Sequence, residues 1–307
     1  MDTAKGDNFG VCRAAVKRAW KKAPSDNITI ALSGGPDSLA LVMAMSAEGI
    51  PARVAIVDHG LQQLSDKVAT HAQAQARRLG YEAEVIRLRL DPRASNMEAR
   101  ARQARYQALR DHSQGGDIWV GHTADDQAET LLLGALRGNP SGMKFREGDI
   151  VRPLLTIRRS NTIAACYERG FVSWRDPHND QTTFRRVAIR HQVIPLLRTI
   201  CQGDPIPALA MTAEKLAEDC EYLDAQVPEL TSSCQELAEL APALRRRTIA
   251  QWLREHGAEV TTAAIKGVEE MCVNWRGQGP VAVGGTSAYR LVVQRKKGYL
   301  ETSTEPR

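Results

Sequence analysis

The feature that most constrains this chain is an alternation between residues 28 and 136. Short runs rich in β-branched residues are each followed by a turn and then a helical stretch. Ile28–Leu32, Val54–Val57, Ala83–Leu88 and Ile118–Gly121 read as strands. Leu39–Ala47, Lys67–Leu79, Glu98–Asp111 and Asp125–Leu136 read as helices. Runs that are apolar on both faces suit buried parallel strands, and a helix after each strand supplies the crossover. The expected fold is α/β, a doubly wound parallel sheet. A further amphipathic helix is expected over 9–22, with Phe9, Val16, Ala19 and Trp20 on its apolar side.

Beyond about residue 200 the pattern changes. Pro205 and Pro207 mark a break, and helices are expected over 208–224, 243–256 and 262–275, with one short strand over 289–294. The expected division is a nucleotide-binding catalytic domain over 1–203 and a smaller, mostly helical domain over 204–307. Apolar residues make up 43% of the chain and charged residues 25%, which excludes a largely disordered protein. The longest apolar-rich stretch, 39–57, carries Glu48, Gly49, Pro51 and Arg53, so no membrane span is expected. The N-terminal residues lack the apolar run of a secretory signal. The six cysteines form no CxxC pair, so reduced thiols in a cytoplasmic protein are expected rather than a metal cluster.

The residues that carry chemistry begin at Ser33-Gly34-Gly35-Pro36-Asp37-Ser38, between the first strand and its helix. Glycines let backbone N–H groups come close to a ligand, and the helix N-terminus points its unpaired N–H groups at the same place. That is an anion site, suited to phosphate. It lacks the Gly-Lys-Ser/Thr of a Walker A loop. Asp37 would repel phosphate unless Mg²⁺ stood between them, so a metal–nucleotide complex is implied; the alternative is a helix-capping Asp in an ordinary turn. His122 and Asp126 lie four apart at a helix start and share a face, beyond the carboxyl end of a strand where such sheets bind ligands. Helix capping is their alternative reading. Arginine outnumbers lysine 31 to 10, with seven arginines from Arg87 to Arg110 and three in a row at Arg245, Arg246 and Arg247. Arginine suits phosphate recognition, although codon bias and solvated helix faces account for such counts too.

The Ser33–Ser38 loop resembles the pyrophosphate-binding loop of the N-type ATP pyrophosphatases. Further segments narrow the resemblance to the tRNA(Ile)-lysidine synthetase family: Val57-Asp58-His59-Gly60-Leu61, Ala101-Arg102-Gln103-Ala104-Arg105-Tyr106, Gly121 through Thr130, Arg137-Gly138, Arg152-Pro153-Leu154-Leu155, Trp174-Arg175-Asp176-Pro177 and Arg186 through Arg190. The resemblance is specific over 28–200 and looser beyond, where Leu244–Arg254 and Trp275–Gly279 still follow it.

The resemblance implies a ligase that uses ATP and Mg²⁺. The C2 oxygen of the wobble cytidine in the CAU anticodon of tRNA(Ile) is adenylated, releasing pyrophosphate; free L-lysine then attacks C2 and AMP leaves. It implies nucleotide binding by Ser33, Gly34, Gly35, Pro36, Asp37, Ser38, Asp58 and His59, with Asp37 on the metal. Asp37, Arg102, His122 and Asp126 would be catalytic. Glu129 would meet the lysine ammonium, and Arg105, Arg186, Arg190 and Arg245–Arg247 the tRNA. For Arg102 and Arg105 a solvated basic face is the alternative, for Asp58 and His59 a turn cap, and for Glu129 a surface helix position.

The chain departs from the family at Gln62, where Arg is usual, and at Val187, where Asn is usual; its 139–150 region is short, and its end resembles the short subgroup. A tRNA-thiolating enzyme with the same loop, or a non-catalytic nucleotide-binding regulator, are the rival readings. Homodimerisation is left open.

Overall fold

In a computed structural model the protein is described over residues 7–60, 65–88, 97–174 and 185–307. Gln62 and the Arg175-Asp176-Pro177 segment lie outside these. The chain forms two compact units, Met1–Ala217 and Glu218–Arg307.

The first unit begins with α1 (Asn8–Lys22), β1 (Ile28–Ala31), α2 (Pro36–Ala47), β2 (Arg53–Asp58), α3 (Ser65–Arg78) and β3 (Ala83–Arg87). It continues with α4 (Met97–Ser113), β4 (Asp117–Val120), α5 (Ala124–Ala135), the short β5 (Arg146–Glu147) and β6 (Ile150–Val151), and α6 (Arg159–Glu168). Helices α7 (Arg185–Ala188), α8 (Ile194–Cys201) and α9 (Ile206–Ala225) follow, with a π-helical turn at Ile189–Val193 between the first two. The boundary between the units falls inside α9.

The six strands run in the order β3-β2-β1-β4-β6-β5; all neighbours are parallel except β5 with β6. Successive side chains along a strand point to opposite faces. Ile28, Ile30, Val54, Ile56 and Trp119 enter one core with α1, α2, α3 and α6, while Ala55, Ile118, Val120 and Ile150 enter another with Leu109 and Tyr106 of α4. This two-sided burial is why the strands read as unbroken apolar runs. In α2 every residue from Ser38 to Met45 is buried.

In α1 the core side is Phe9, Cys12, Ala15, Val16 and Ala19, whereas Trp20, expected on it, is 38% exposed. Trp20 sits about 100° around the helix from Ala19, just off the 9–12–16–19 stripe.

The order of the strands decides where ligands go. From β1 the chain moves outward through β2 to β3, then returns to the other side of β1 as β4. The crevice between the carboxyl ends of β1 and β4 is therefore the topological switch point.

The second unit packs α10 (Cys234–Glu239), α11 (Pro242–Glu255) and α12 (Thr262–Val273) with a three-stranded antiparallel sheet, β7 (Val281–Gly285), β8 (Tyr289–Lys296) and β9 (Tyr299–Pro306). Leu237, Ile249, Trp252, Leu253, Val268, Met271, Val283, Val293 and Leu300 fill its core. Only β8 was expected from the pattern. β7 carries two glycines and a bulge, and β9 is mostly polar, so both owe their form to pairing with β8 rather than to propensity.

Candidate active site

The turn after β1 is tied by its own serines. Ser33 Oγ and Ser38 Oγ lie 3.0 Å apart, the backbone N–H of Ser33 donates to Ser38 Oγ at 3.1 Å, and Ser38 Oγ donates to the Gly35 carbonyl. Gly34 has φ +83°, a conformation other residues adopt only with strain. Gly35 is the N-cap of α2 and makes no side-chain capping bond, and Pro36 follows at the first helical position. The positive end of α2 is thus turned to the crevice without a side-chain cap.

Gly121, directly after β4, closes on this turn from the other side. A Cβ there would stand 2.8 Å from the backbone carbon and oxygen of Asp37 and the nitrogen of Ser38.

Beside the turn, at the end of β2, Asp58 caps the N–H of Gly60 at 3.0 Å. Arg105 of α4 donates to His59 Nε2 from both Nε and Nη2, at 3.0 and 2.8 Å. His59 Nδ1 is buried and has no partner among the described residues, and the same holds for Nδ1 of His122. Both imidazoles are held uncharged: burial, reinforced by Arg105, lowers the pKa of His59 to about 4, and burial lowers that of His122 to about 4 although Asp126 opposes it. Arg102 lies over the ring of Tyr106, 5.0 Å from its centroid. An uncapped helix end, a glycine contact with no room for a side chain, and two orphaned ring nitrogens fit a nucleotide.

The sequence did not single out the residue at the centre of this site. Arg159 opens α6 and donates from three different nitrogens to three carboxylates: Nε to Asp37 at 3.1 Å, Nη2 to Asp126 at 2.7 Å and Nη1 to Glu129 at 3.0 Å. Its backbone N–H donates to Asp125, which is also paired with Arg158. One turn on, Thr162 bonds Asp37 through its hydroxyl, and Cys166 approaches the Pro36 carbonyl. The buried positions of α6, Thr162, Ala165 and Cys166, show a helical spacing that would have placed this face on α2. Nothing local marks Arg159 apart from its neighbour Arg158.

Burial raises the Asp37 carboxyl to about 6, against the pull of Arg159. For Asp126 burial acts the same way but is overcome by Arg159, His122 and the hydrogen bonds of Thr123, leaving it at about 2. Asp126 Oδ2 accepts from both the N–H and the hydroxyl of Thr123, each at 2.8 Å. It is therefore both a cap of α5 and a member of the charged cluster.

Glu129 is fully buried. Besides Arg159 it receives Arg190, at 2.8 and 3.2 Å, with Arg186 at 3.6 Å; Arg186 also donates to Thr130. Asp37, Asp126, Glu129, Arg186 and Arg190 are thus brought into one network; Asp58, His59 and Arg105 meet at the end of β2, and Arg102 acts electrostatically on both Arg105 and His122.

In the second unit Arg245 is almost buried, bonded to Glu269 and to two backbone carbonyls, and Arg247 pairs with Asp224. Arg246, also on Glu269, has the most exposed side chain of the three at 60%.

Residues 11–197 match the PP-loop domain family, and residues 233–300 match the TilS substrate binding domain. A tRNA(Ile)-lysidine synthase of Corynebacterium glutamicum is 45% identical over 303 residues, covering 96% of this chain and 94% of the relative. The chain belongs to the tRNA(Ile)-lysidine synthase family. Members from Corynebacterium diphtheriae, 48% identical over 96% of this chain and 97% of theirs, and Mycobacterium tuberculosis, 43% identical over 92% of each, are similar in the same way. Among solved structures, a U34-tRNA thiolase from Methanococcus maripaludis with its [4Fe-4S] cluster superposes with a TM-score of 0.57 at 14% identity, over 83% of this chain and 90% of its own, a likeness of fold. As a synthase of this family the chain is an ATP-using enzyme, and no helix among its described residues is long and apolar enough to cross a membrane.

Proposed function

We propose that this protein is a cytoplasmic tRNA(Ile)-lysidine synthase, a ligase that joins the ε-amine of free lysine to C2 of the wobble cytidine in the CAU anticodon. ATP is cleaved to AMP and pyrophosphate. The observation that carries the geometric side of this reading is that a phosphate-binding turn and the Asp126–Glu129 face of α5 share one charged cluster at the switch point. The near full-length similarity to curated lysidine synthases supports the identity of the substrates.

The backbone N–H groups at the start of α2 hold the phosphates, and Gly121 keeps the wall of the crevice at backbone distance. Asp37 would hold Mg²⁺, which would supply positive charge beside the phosphates. The unpaired Nδ1 of His59 lies at the end of β2, next to the strand that delivers the phosphate turn, and is offered to the nucleoside.

Adenylation of the cytidine oxygen makes C2 electrophilic and gives AMP as leaving group. Free lysine, with a side-chain pKa of about 10.4, gives its proton to bulk water before binding, and as its amine bonds C2 the C2–O bond to AMP breaks. Both oxygens of Asp126 already accept, Oδ2 from Thr123 and Oδ1 from Arg159, and these bonds favour its ionised form, so Asp126 orients the amine by charge. His122, uncharged at neutral pH, offers a hydrogen-bonding nitrogen to the departing AMP. Arg102, Arg105 and Arg246 supply positive charge for the tRNA.

Incubation with ATP, Mg²⁺, radiolabelled lysine and total tRNA tests this. Label is expected in the tRNA fraction, with AMP formation dependent on tRNA. ATP turnover without lysine transfer would favour a thiolating enzyme, and no turnover a regulator.

A further inference from the structure

Three carboxylates converge on one cation at this site, yet they come from different elements and serve different substrates. Asp37 belongs to the first turn of α2, on the nucleotide side. Asp126 and Glu129 lie one turn apart on α5, on the amine side. Among the described residues Arg159 alone touches all three, with a separate nitrogen for each. Its own position is fixed. Asp125 accepts its backbone N–H at 2.8 Å, the Ile157 carbonyl accepts the N–H of Ala124 at 2.8 Å, and Thr162 anchors the same turn of α6 to Asp37.

Taking the lysidine reading above as its basis, we infer that Arg159 is the positioning residue that sets the nucleotide half-site and the amine half-site in register. A planar guanidinium with five donors in a rigid fork fixes the relative placement of the groups it bridges. A lysine at the same place keeps the charge but presents one ammonium on a flexible stem. It can neutralise the cluster without reproducing three fixed directions. The inference therefore separates charge from geometry. Arg186 and Arg190 bond within the cluster at its amine end, to Glu129 and Thr130.

The test compares wild type, Arg159→Lys and Arg159→Met, each with and without Glu129→Gln. Thermal melting, ATP binding by equilibrium dialysis, and the kcat and KM of lysine transfer are read for each. A misplacement of about 1 Å costs on the order of 100-fold in rate. Arg159→Lys is expected to melt close to wild type and to bind ATP within about threefold, while kcat falls about 100-fold. Once Arg159 is Lys, adding Glu129→Gln should cost at least about tenfold less than it does in the wild-type background, because the two residues act through one bond. Lysine transfer by Arg159→Lys at the wild-type kcat, or independent effects of the two substitutions, would overturn the inference while leaving the lysidine reading intact. A loss confined to melting temperature would reduce Arg159 to a structural brace and overturn it too. A wild-type protein that transfers no lysine would overturn both.

Discussion

Gly121→Ala adds one methyl group where the chain leaves β4, and its consequence follows from a single distance. The backbone of Gly121 is not in the left-handed region, so alanine can adopt it. Space is what is missing: the new Cβ would lie 2.8 Å from three backbone atoms of Asp37 and Ser38. Ordinary contact begins near 3.4 Å. The first turn of α2 must therefore move by roughly half an ångström or more, and no flexible side-chain end is there to absorb the clash. Overpacking of this kind costs about 1–3 kcal/mol. For a unit the size of Met1–Ala217, each kcal/mol moves the melting temperature by about 2–4 °C, so a drop of about 2–12 °C is expected. The functional cost is larger, because the atoms displaced belong to the turn on which the proposed mechanism seats the phosphates; a shift of this size should lower kcat by roughly ten- to a hundredfold. Scanning calorimetry and tRNA-dependent AMP formation measure the two effects. Gly203→Ala, whose Cβ would meet only the Cys201 carbonyl at 3.8 Å, is the matched control and should change neither. A Gly121→Ala protein with wild-type turnover would refute the claim that β4 and the phosphate turn touch backbone to backbone.

Asp37→Ala should abolish adenylation while leaving the fold intact by circular dichroism, because positioning supplies most of the catalysis in phosphoryl-type chemistry. Asp126→Asn should slow lysine transfer more than it weakens ATP binding; equal loss of both would place Asp126 on the nucleotide. Asp126 also carries a pH signature. Its folded pKa of about 2 lies below the unfolded value of about 3.9, so its contribution is present above pH 4 and is lost as pH falls from 4 towards 2. Asp126→Asn should flatten that limb of the acid unfolding curve, and an unchanged limb would count against the ionised cluster. In the second unit Arg246→Gln should lower the slope of log tRNA affinity against log salt by about 0.7–0.9, whereas Arg245→Gln should leave the slope alone and destabilise the domain by leaving buried Glu269 short of a partner. Equal slopes for Arg246→Gln and wild type would move the tRNA surface elsewhere.

The α/β architecture was legible from the primary structure because two-sided burial leaves a plain trace: unbroken apolar runs at 28–32, 54–57 and 118–121, each followed by helical spacing. The turn between β1 and α2 was legible as well, since Gly34 stands at φ +83° and Pro36 opens the helix. Other features depended on packing. Trp20 lies one position off its helix stripe, a difference only the neighbouring helices define. β7 and β9 have little strand propensity and are organised by β8. Arg245, Arg246 and Arg247 are alike in the sequence, but Glu269 and Asp224 arrive from elsewhere and leave only Arg246 largely exposed. For Glu129 the sequence left a partner for the lysine ammonium and a surface helix position both open; its full burial beneath Arg159, Arg186 and Arg190 removes the surface position. Arg159 itself is one arginine of a pair at a helix start, and nothing within ten residues names it. Its role is set by charges 122, 33 and 30 positions away. Local rules determine which segments become strands, turns and helices because those rules act over a few residues. Which buried charge meets which is decided by the closing of the sheet, since an ion pair across the switch point exists only once β1, β4 and α6 have met.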